Sequence, residues 1–151
     1  MRIVVGSDHG GVVLKSAIVK HLVGAGHDVD DVGTNGAESV DYPDFGAAVA
    51  EAVVTADAGQ ADLGIAVCGS GLGICIAANK VDGVRAITAH DVTSAHLGRL
   101  HNDANILCLG ARLIGETTAL AAVDAFLSTD FEGGRHCARV DKITSLEQKP
   151  S

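Results

Sequence analysis

Short β-branched runs and longer amphipathic stretches alternate along the 151-residue chain. Residues 2–8 (RIVVGSD) predict a strand that stops at Gly-Ser-Asp. Leu14, Ile18 and Leu22 then recur at intervals of four, the stripe of an amphipathic helix closed by Gly24 and Gly26. Residues 27–33 (HDVDDVG) predict a weak, polar edge strand. Pro43 suits a helix start, and Phe45, Val49 and Val53 carry that helix forward at the same spacing. Residues 61–67 (ADLGIAV) predict a third strand, followed by a helix over about 72–79. Residues 84–88 (VRAIT) predict a fourth strand before a helix over about 91–100, and residues 105–110 (NILCLG) a fifth. Leu120, Val123 and Leu127 mark a helix near 115–128. Val140, Ile143 and Leu146 mark a last one over roughly 134–148, leaving a tail at 149–151.

Strands separated by helices imply parallel crossovers, with helices covering both faces of the sheet. The fold class expected is α/β: a single doubly wound, Rossmann-like domain over 1–151 with a five-stranded parallel sheet. Composition changes this picture mainly by exclusion. At 47 % hydrophobic residues the chain can fill a core, yet no apolar run approaches the ~20 residues of a membrane span. The N-terminus reaches glycine and aspartate after four further residues, too soon for a secretory leader, so a cytoplasmic location is expected. Eleven Lys and Arg against nineteen Asp and Glu give a formal charge of −8, and aromatics are only 3 %; neither suits nucleic acid as a partner.

Doubly wound sheets bind ligands beyond the carboxyl ends of their strands. Asp8 and His9 follow the first strand, Cys68 follows the third, and the segment leading to His101 follows the fourth. The third junction, residues 67–80 (VCGSGLGICIAANK), is the richest. Gly69, Gly71 and Gly73 leave backbone N–H groups bare at a helix start, which suits a phosphate or a developing oxyanion. The G-x-G-x-G spacing fits neither a dinucleotide fingerprint nor a P-loop. Cys68 at the lip of such a nest is placed to act as base or nucleophile, with Ser70 to orient it or touch ligand. Cys75 and Cys108 lie in apolar runs and read as buried small hydrophobes; no C-x-x-C or zinc spacing occurs. His101, Asn102 and Asp103 set an imidazole, an amide and a carboxylate just past a helix. His21 and His27 read as solvated. Arg135 and Arg139, four apart, share a helical face that can fork onto an anion, and Arg112 is a further candidate cation.

With SDHGG, DYPDF, CGSGLGICIAANK, HNDANIL, GAR and EGGRHCARV in this order, the chain resembles the ribose-5-phosphate isomerase B family from residue 2 to about 148. That group also includes galactose-6-phosphate isomerase subunits. The resemblance implies an aldose–ketose isomerase acting on a sugar phosphate without metal or organic cofactor. Cys68 matches the thiolate that moves a proton between C1 and C2 through an enediolate. Ile74 stands where a second branch of the family carries a glutamate, so the chain looks like the cysteine type. His101 matches the ring-opening histidine. Asn102 and the backbone of Gly69, Ser70, Gly71, Leu72 and Gly73 match contacts to the enediolate oxygens. His9, Arg135 and Arg139 match phosphate contacts, Asp8 and Tyr42 sugar-side groups, and Arg112 an arginine contributed across a dimer interface. A homodimer or dimer of dimers with its active site at the subunit interface is implied.

Ser70 stands where cysteine-type pentose isomerases often carry threonine, so tetrulose 4-phosphates and hexose 6-phosphates of galactose or allose type stay open as substrates. From another class, a non-catalytic phosphate- or nucleotide-binding regulatory module on the same fold is the alternative. Simple binding needs neither a base nor a proton shuttle, so Cys68 and His101 together disfavour it.

Overall fold

The computed structural model describes residues 1–55 and 63–147. Five parallel strands form one sheet: β1 (Arg2–Ser7), β2 (Asp28–Asp31), β3 (Leu63–Cys68), β4 (Ala86–Thr88) and β5 (Ile106–Gly110), in the order β2-β1-β3-β5-β4. The interior strands β1, β3 and β5 are almost entirely buried, as strands covered on both faces must be. Polar DVDD and the three-residue β4 hold the two edges, short strands that offer little template for foreign pairing. The order places β5 between β3 and β4, a swap that local periodicity does not carry. The predicted residues 61 and 62 of the third strand lie outside the described residues, as do residues 148–151 of the last helix and tail.

Period-two alternation sorts the strand side chains into two cores. Ile3, Val5, Ile65, Val67, Leu107 and Leu109 face one side. There they meet α1 (Val12–Gly24) through Leu14, Ile18 and Leu22, and α5 (Glu116–Ser128) through Val123 and Phe126. Val4, Ala66, Cys68, Ile106 and Cys108 face the other. They are covered by α2 (Tyr42–Val54) through Val49 and Val53, and by α3 (Leu72–Ala78) through Ile74, Cys75 and Ala78. Cys68 therefore points to the α2/α3 side.

Each predicted helix forms, with Pro43 in the first turn of α2 as expected. α4 (Val92–Asn102) is capped by the Asp91 carboxylate, which accepts from the Ser94 amide at 2.7 Å. It runs two residues beyond the predicted end, so His101 and Asn102 belong to its last turn. The final segment differs more. A 3₁₀ turn (Gly134–His136) precedes α6 (Cys137–Thr144), and α6 buries none of its residues; Ile143 and Leu146 stay exposed rather than packing inward. Among the described residues, no helix is long and apolar enough to cross a membrane.

Candidate active site

β1 connects outward to β2, whereas the chain returns through α2 to β3 on the other side of β1. The connections thus diverge between β1 and β3, and a crevice opens beyond their carboxyl ends. It is a cavity of about 370 Å³ lined by Asp8, Tyr42, Cys68, Gly69, Ser70, Gly73, Arg112 and Leu113. Seven of these eight were predicted from sequence. A larger hollow of about 970 Å³ lies between α1 and α5, around Val12, Lys20 and Glu116, but contains none of the predicted site residues. The chemistry favours the smaller cavity.

Cys68 is only 3 % exposed, packed below against the α2/α3 core and open above to the cavity. The amide of Gly71 donates to its sulfur at 3.1 Å. Gly71 takes a left-handed conformation (φ 73°), and a Cβ there would stand 2.7 Å from the backbone of Leu109. Thr88 donates its hydroxyl to the Gly71 carbonyl at 2.8 Å, which braces the turn. The other two glycines make room for neighbours: a Cβ on Gly69 would meet the Arg112 guanidinium at 2.9 Å, and one on Gly73 the Tyr42 ring at 2.5 Å. Ser70 accepts from the Leu72 amide at 3.3 Å, while the Leu72 side chain projects into solvent. Asp8 caps the turn after β1 by accepting from the Gly11 amide at 3.1 Å. His9 is exposed and is not among the residues lining the cavity; its Nδ1 lies 3.1 Å from the Val40 amide nitrogen and 3.2 Å from the Val40 carbonyl oxygen.

Arg112, expected from the resemblance to act across a dimer interface, lines the cavity of its own chain. Backbone bonds from Ala111 to the Cys68 carbonyl (2.8 Å) and from Arg112 to the Gly69 carbonyl (3.0 Å) tie the turn after β5 to the glycine loop.

His101, Asn102, Arg135 and Arg139 lie elsewhere. α4 runs antiparallel to the strands, so its last turn returns to the amino end of the sheet. There Asn105 accepts from the Gly64 amide at the start of β3, and the Asn102 carbonyl accepts from Arg85 at 3.1 Å. The His136 ring stacks on His101 with centroids 4.4 Å apart, which brings the Arg135–Arg139 segment to the same end. The reading that placed the segment leading to His101 with the ligand-binding strand ends is therefore corrected: within one chain it sits opposite Cys68. Of the six arginines, Arg2, Arg85 and Arg99 pair with Asp30 and Asp103. Arg112, Arg135 and Arg139 form no ion pair among the described residues, and the Arg139 guanidinium donates to the Arg135 carbonyl at 3.1 Å.

Comparison with known proteins matches residues 3–143 to a family described as ribose/galactose isomerase. A ribose-5-phosphate isomerase B from Escherichia coli is 47 % identical over 148 residues, 98 % of this chain and 97 % of its own. The chain belongs to the ribose/galactose isomerase family. Solved relatives share its fold closely. A Clostridium thermocellum ribose-5-phosphate isomerase B is 52 % identical with a TM-score of 0.95, covering both chains fully. The Mycoplasma genitalium enzyme, solved with bound ribulose-5-phosphate, is 43 % identical with a TM-score of 0.93 over 99 % of this chain and 97 % of that one.

Within this isomerase-family scaffold, three supports of the site escaped the sequence reading. His90, just past β4, accepts from the Gly110 amide at 3.1 Å. Thr88 braces Gly71, and Leu113 lines the cavity. All three follow or end a strand, and that position was the available signal. Beneath the loop, Cys75 and Cys108 are buried as expected, yet they are not inert. The Cys108 thiol bonds to the Cys75 sulfur and pulls the Cys75 pKa down to about 6, with burial opposing and Thr88 assisting. The same bond and full burial push Cys108 well up.

Proposed function

We propose that this chain interconverts ribose 5-phosphate and ribulose 5-phosphate, with Cys68 as the base. The observation that carries this reading is the sulfur at the cavity floor, held by a glycine-loop amide and flanked by an unpaired guanidinium. In the aldose, the C2 proton passes to sulfur and the C2–H bonding pair shifts toward C1, leaving negative charge on O1. Return of that proton to C1, with the O2 hydroxyl proton passing to O1, gives the ketose. On this reading the bared amides of the Gly69–Gly73 loop, one of which already donates to the sulfur, take up this charge, the preorganised stabilisation that such a step requires. Ser70 orients the loop, Leu72 contributes its amide, and Asp8 and Tyr42 hold sugar hydroxyls.

Catalysis on this reading takes two chains. One supplies Cys68, the glycine loop, Arg112 and His9; the other brings His101 to open the furanose ring, Asn102 to an enediolate oxygen, and Arg135 and Arg139 to the phosphate. Support comes from the separation of the two groups at opposite ends of the sheet. It also comes from the exposed apolar residues near each group: Tyr42 at the cavity with Leu72 and Ile76 on α3, and Ile143 on α6 with Leu146 just beyond it. The phosphate supplies binding energy that positions C1 and C2 over the sulfur.

The test is proton exchange combined with a substrate panel. In D₂O, the enzyme is expected to exchange the C2 proton of ribose 5-phosphate, and Cys68→Ser to abolish exchange while retaining sugar-phosphate binding. Binding without exchange by the unmodified chain would refute the isomerase reading in favour of a binding module. C4, C5 and C6 aldose phosphates compared by kcat/KM fix substrate length; a C4 or C6 optimum would overturn ribose 5-phosphate.

A further inference from the structure

At the amino end of the sheet, His101, Glu132 and His136 bring one potential ligand atom each to within 4.8 Å of one another. We propose that these three side chains form a binding site for a borderline-soft divalent cation of the zinc class. Two imidazoles and a carboxylate are a donor set that such ions take, with further positions left for water.

Three features distinguish the cluster from a chance grouping. First, His136 is only 7 % exposed, and its Nε2 has no hydrogen-bond partner. Glu132 Oε2 stands 3.1 Å away, but not in hydrogen-bonding alignment. A buried nitrogen left without a bond costs free energy unless something else takes its lone pair. Second, the chain is held in place. The Glu132 amide donates to the Leu100 carbonyl at 2.9 Å, locking the segment onto α4 one residue before His101. Gly133 and Gly134 (φ 70° and 56°) then turn it so that the His136 amide bonds back to Gly133 at 3.0 Å. Third, the movable ligands are the accessible ones. Tetrahedral ligation at zinc–nitrogen lengths needs donor atoms about 3.4 Å apart. Glu132 is exposed and His101 half-buried, so side-chain rotation at these two can close the remaining gap onto the fixed His136.

No step of the proposed mechanism uses this ion. Its consequence is inhibitory: it would occupy the ring-opening imidazole. Cation binding stands independently of the isomerase reading, whereas inhibition rests on the role that reading gives His101.

Cobalt(II) is the probe, titrated into the full chain carrying Cys68→Ser and Cys137→Ser so that neither accessible thiol competes. One ion per chain is expected, with a visible spectrum of nitrogen and oxygen ligation and no sulfur charge-transfer band. Glu132→Gln, at an exposed position, should weaken binding at least about tenfold without changing the melting temperature. No binding, a sulfur band, or equal affinity in Glu132→Gln would overturn the site. In parallel, zinc should inhibit the active Cys137→Ser enzyme, and Glu132→Gln should relieve inhibition while leaving metal-free turnover unchanged. Inhibition that persists in Glu132→Gln counts against the site. Binding lost in Glu132→Gln without any zinc inhibition upholds the site and removes His101 from ring opening.

Discussion

On the proposed two-chain site of a dimer, two inactive variants should restore each other. β3 rises about 3.3 Å per residue, so Gly64 and Cys68 are about 13 Å apart along the strand. Asn105 is bonded to Gly64, and His101 precedes it in the last turn of α4. Proton transfer to substrate requires heavy atoms within about 3 Å, and a pentose phosphate cannot bridge the sheet. Cys68→Ala and His101→Asn should each lose turnover alone. In a mixed dimer, one of the two sites receives both substitutions and the other receives neither. Random pairing of equal amounts makes about half of the dimers mixed, so activity should recover to about a quarter of the unmodified enzyme. The assay is ribulose 5-phosphate formation after co-refolding, with native mass spectrometry counting the mixed dimers. If mixed dimers form and activity stays at the sum of the parents, the two-chain site is refuted.

Gly71→Ala combines a left-handed backbone cost of about 1–2 kcal/mol with overlap against the Leu109 backbone. It should lower the melting temperature and, by shifting the amide from Cys68, cut kcat by up to about a hundredfold; unchanged values of both would show that the turn is not under constraint. The Cys75 thiol releases its proton near pH 6 when folded and near 9.0 when unfolded. Through that window the unfolded chain holds the extra proton, so stability rises with pH and is lost as pH falls toward 6. Cys75→Ala should flatten the rise in urea midpoints, while the raised Cys108 acts only above the window; an unaltered slope would deny the pairing. Lys15 is 1 % exposed, its ammonium held by Asp31 at 2.5 Å and Asn35 at 2.7 Å. Lys15→Met should cost only about 1 kcal/mol in chemical unfolding, because the exposed Asp31 keeps water and the Gly33 amide as partners; a loss of several kcal/mol would show that the pair behaves as a buried one.

Periodicity made the elements legible because it records which side of each residue is wet. Leu14, Ile18 and Leu22 face a core, and every strand falls within a few residues of its predicted span. It does not record which end of the sheet a residue occupies. The segment leading to His101 was grouped with the residues after β4 because it follows that strand in sequence. Yet the eleven residues of α4 at 1.5 Å each rise about 16 Å, the height of a five-residue strand. A helix of that length must return its last turn to the sheet's amino end, so the misplacement was correctable by arithmetic. Other features were beyond reach. Lys15 sits on the buried face of its helix, its charge paired with Asp31 at the end of β2 and its ammonium hydrogen-bonded by Asn35 in the loop that follows. The order of β4 and β5 and the place of Arg112 depend on bonds between segments some forty residues apart.

The charge distribution gives the two-ended layout a physical purpose. A chain of net charge −8 repels a sugar phosphate in general, and its cavity contains Asp8 and a single unpaired cation, Arg112. Half of the arginines are spent on Asp30 and Asp103, which fasten the sheet and α4. Arg135 and Arg139 are exposed, and α6 buries none of its residues, so their cost to the lone chain is small. Delivering them to another subunit's cavity would offset the phosphate charge only upon assembly. On that arrangement, a lone chain keeps the sulfur but not the guanidiniums that hold substrate over it, and both binding and turnover are gained in the same association step.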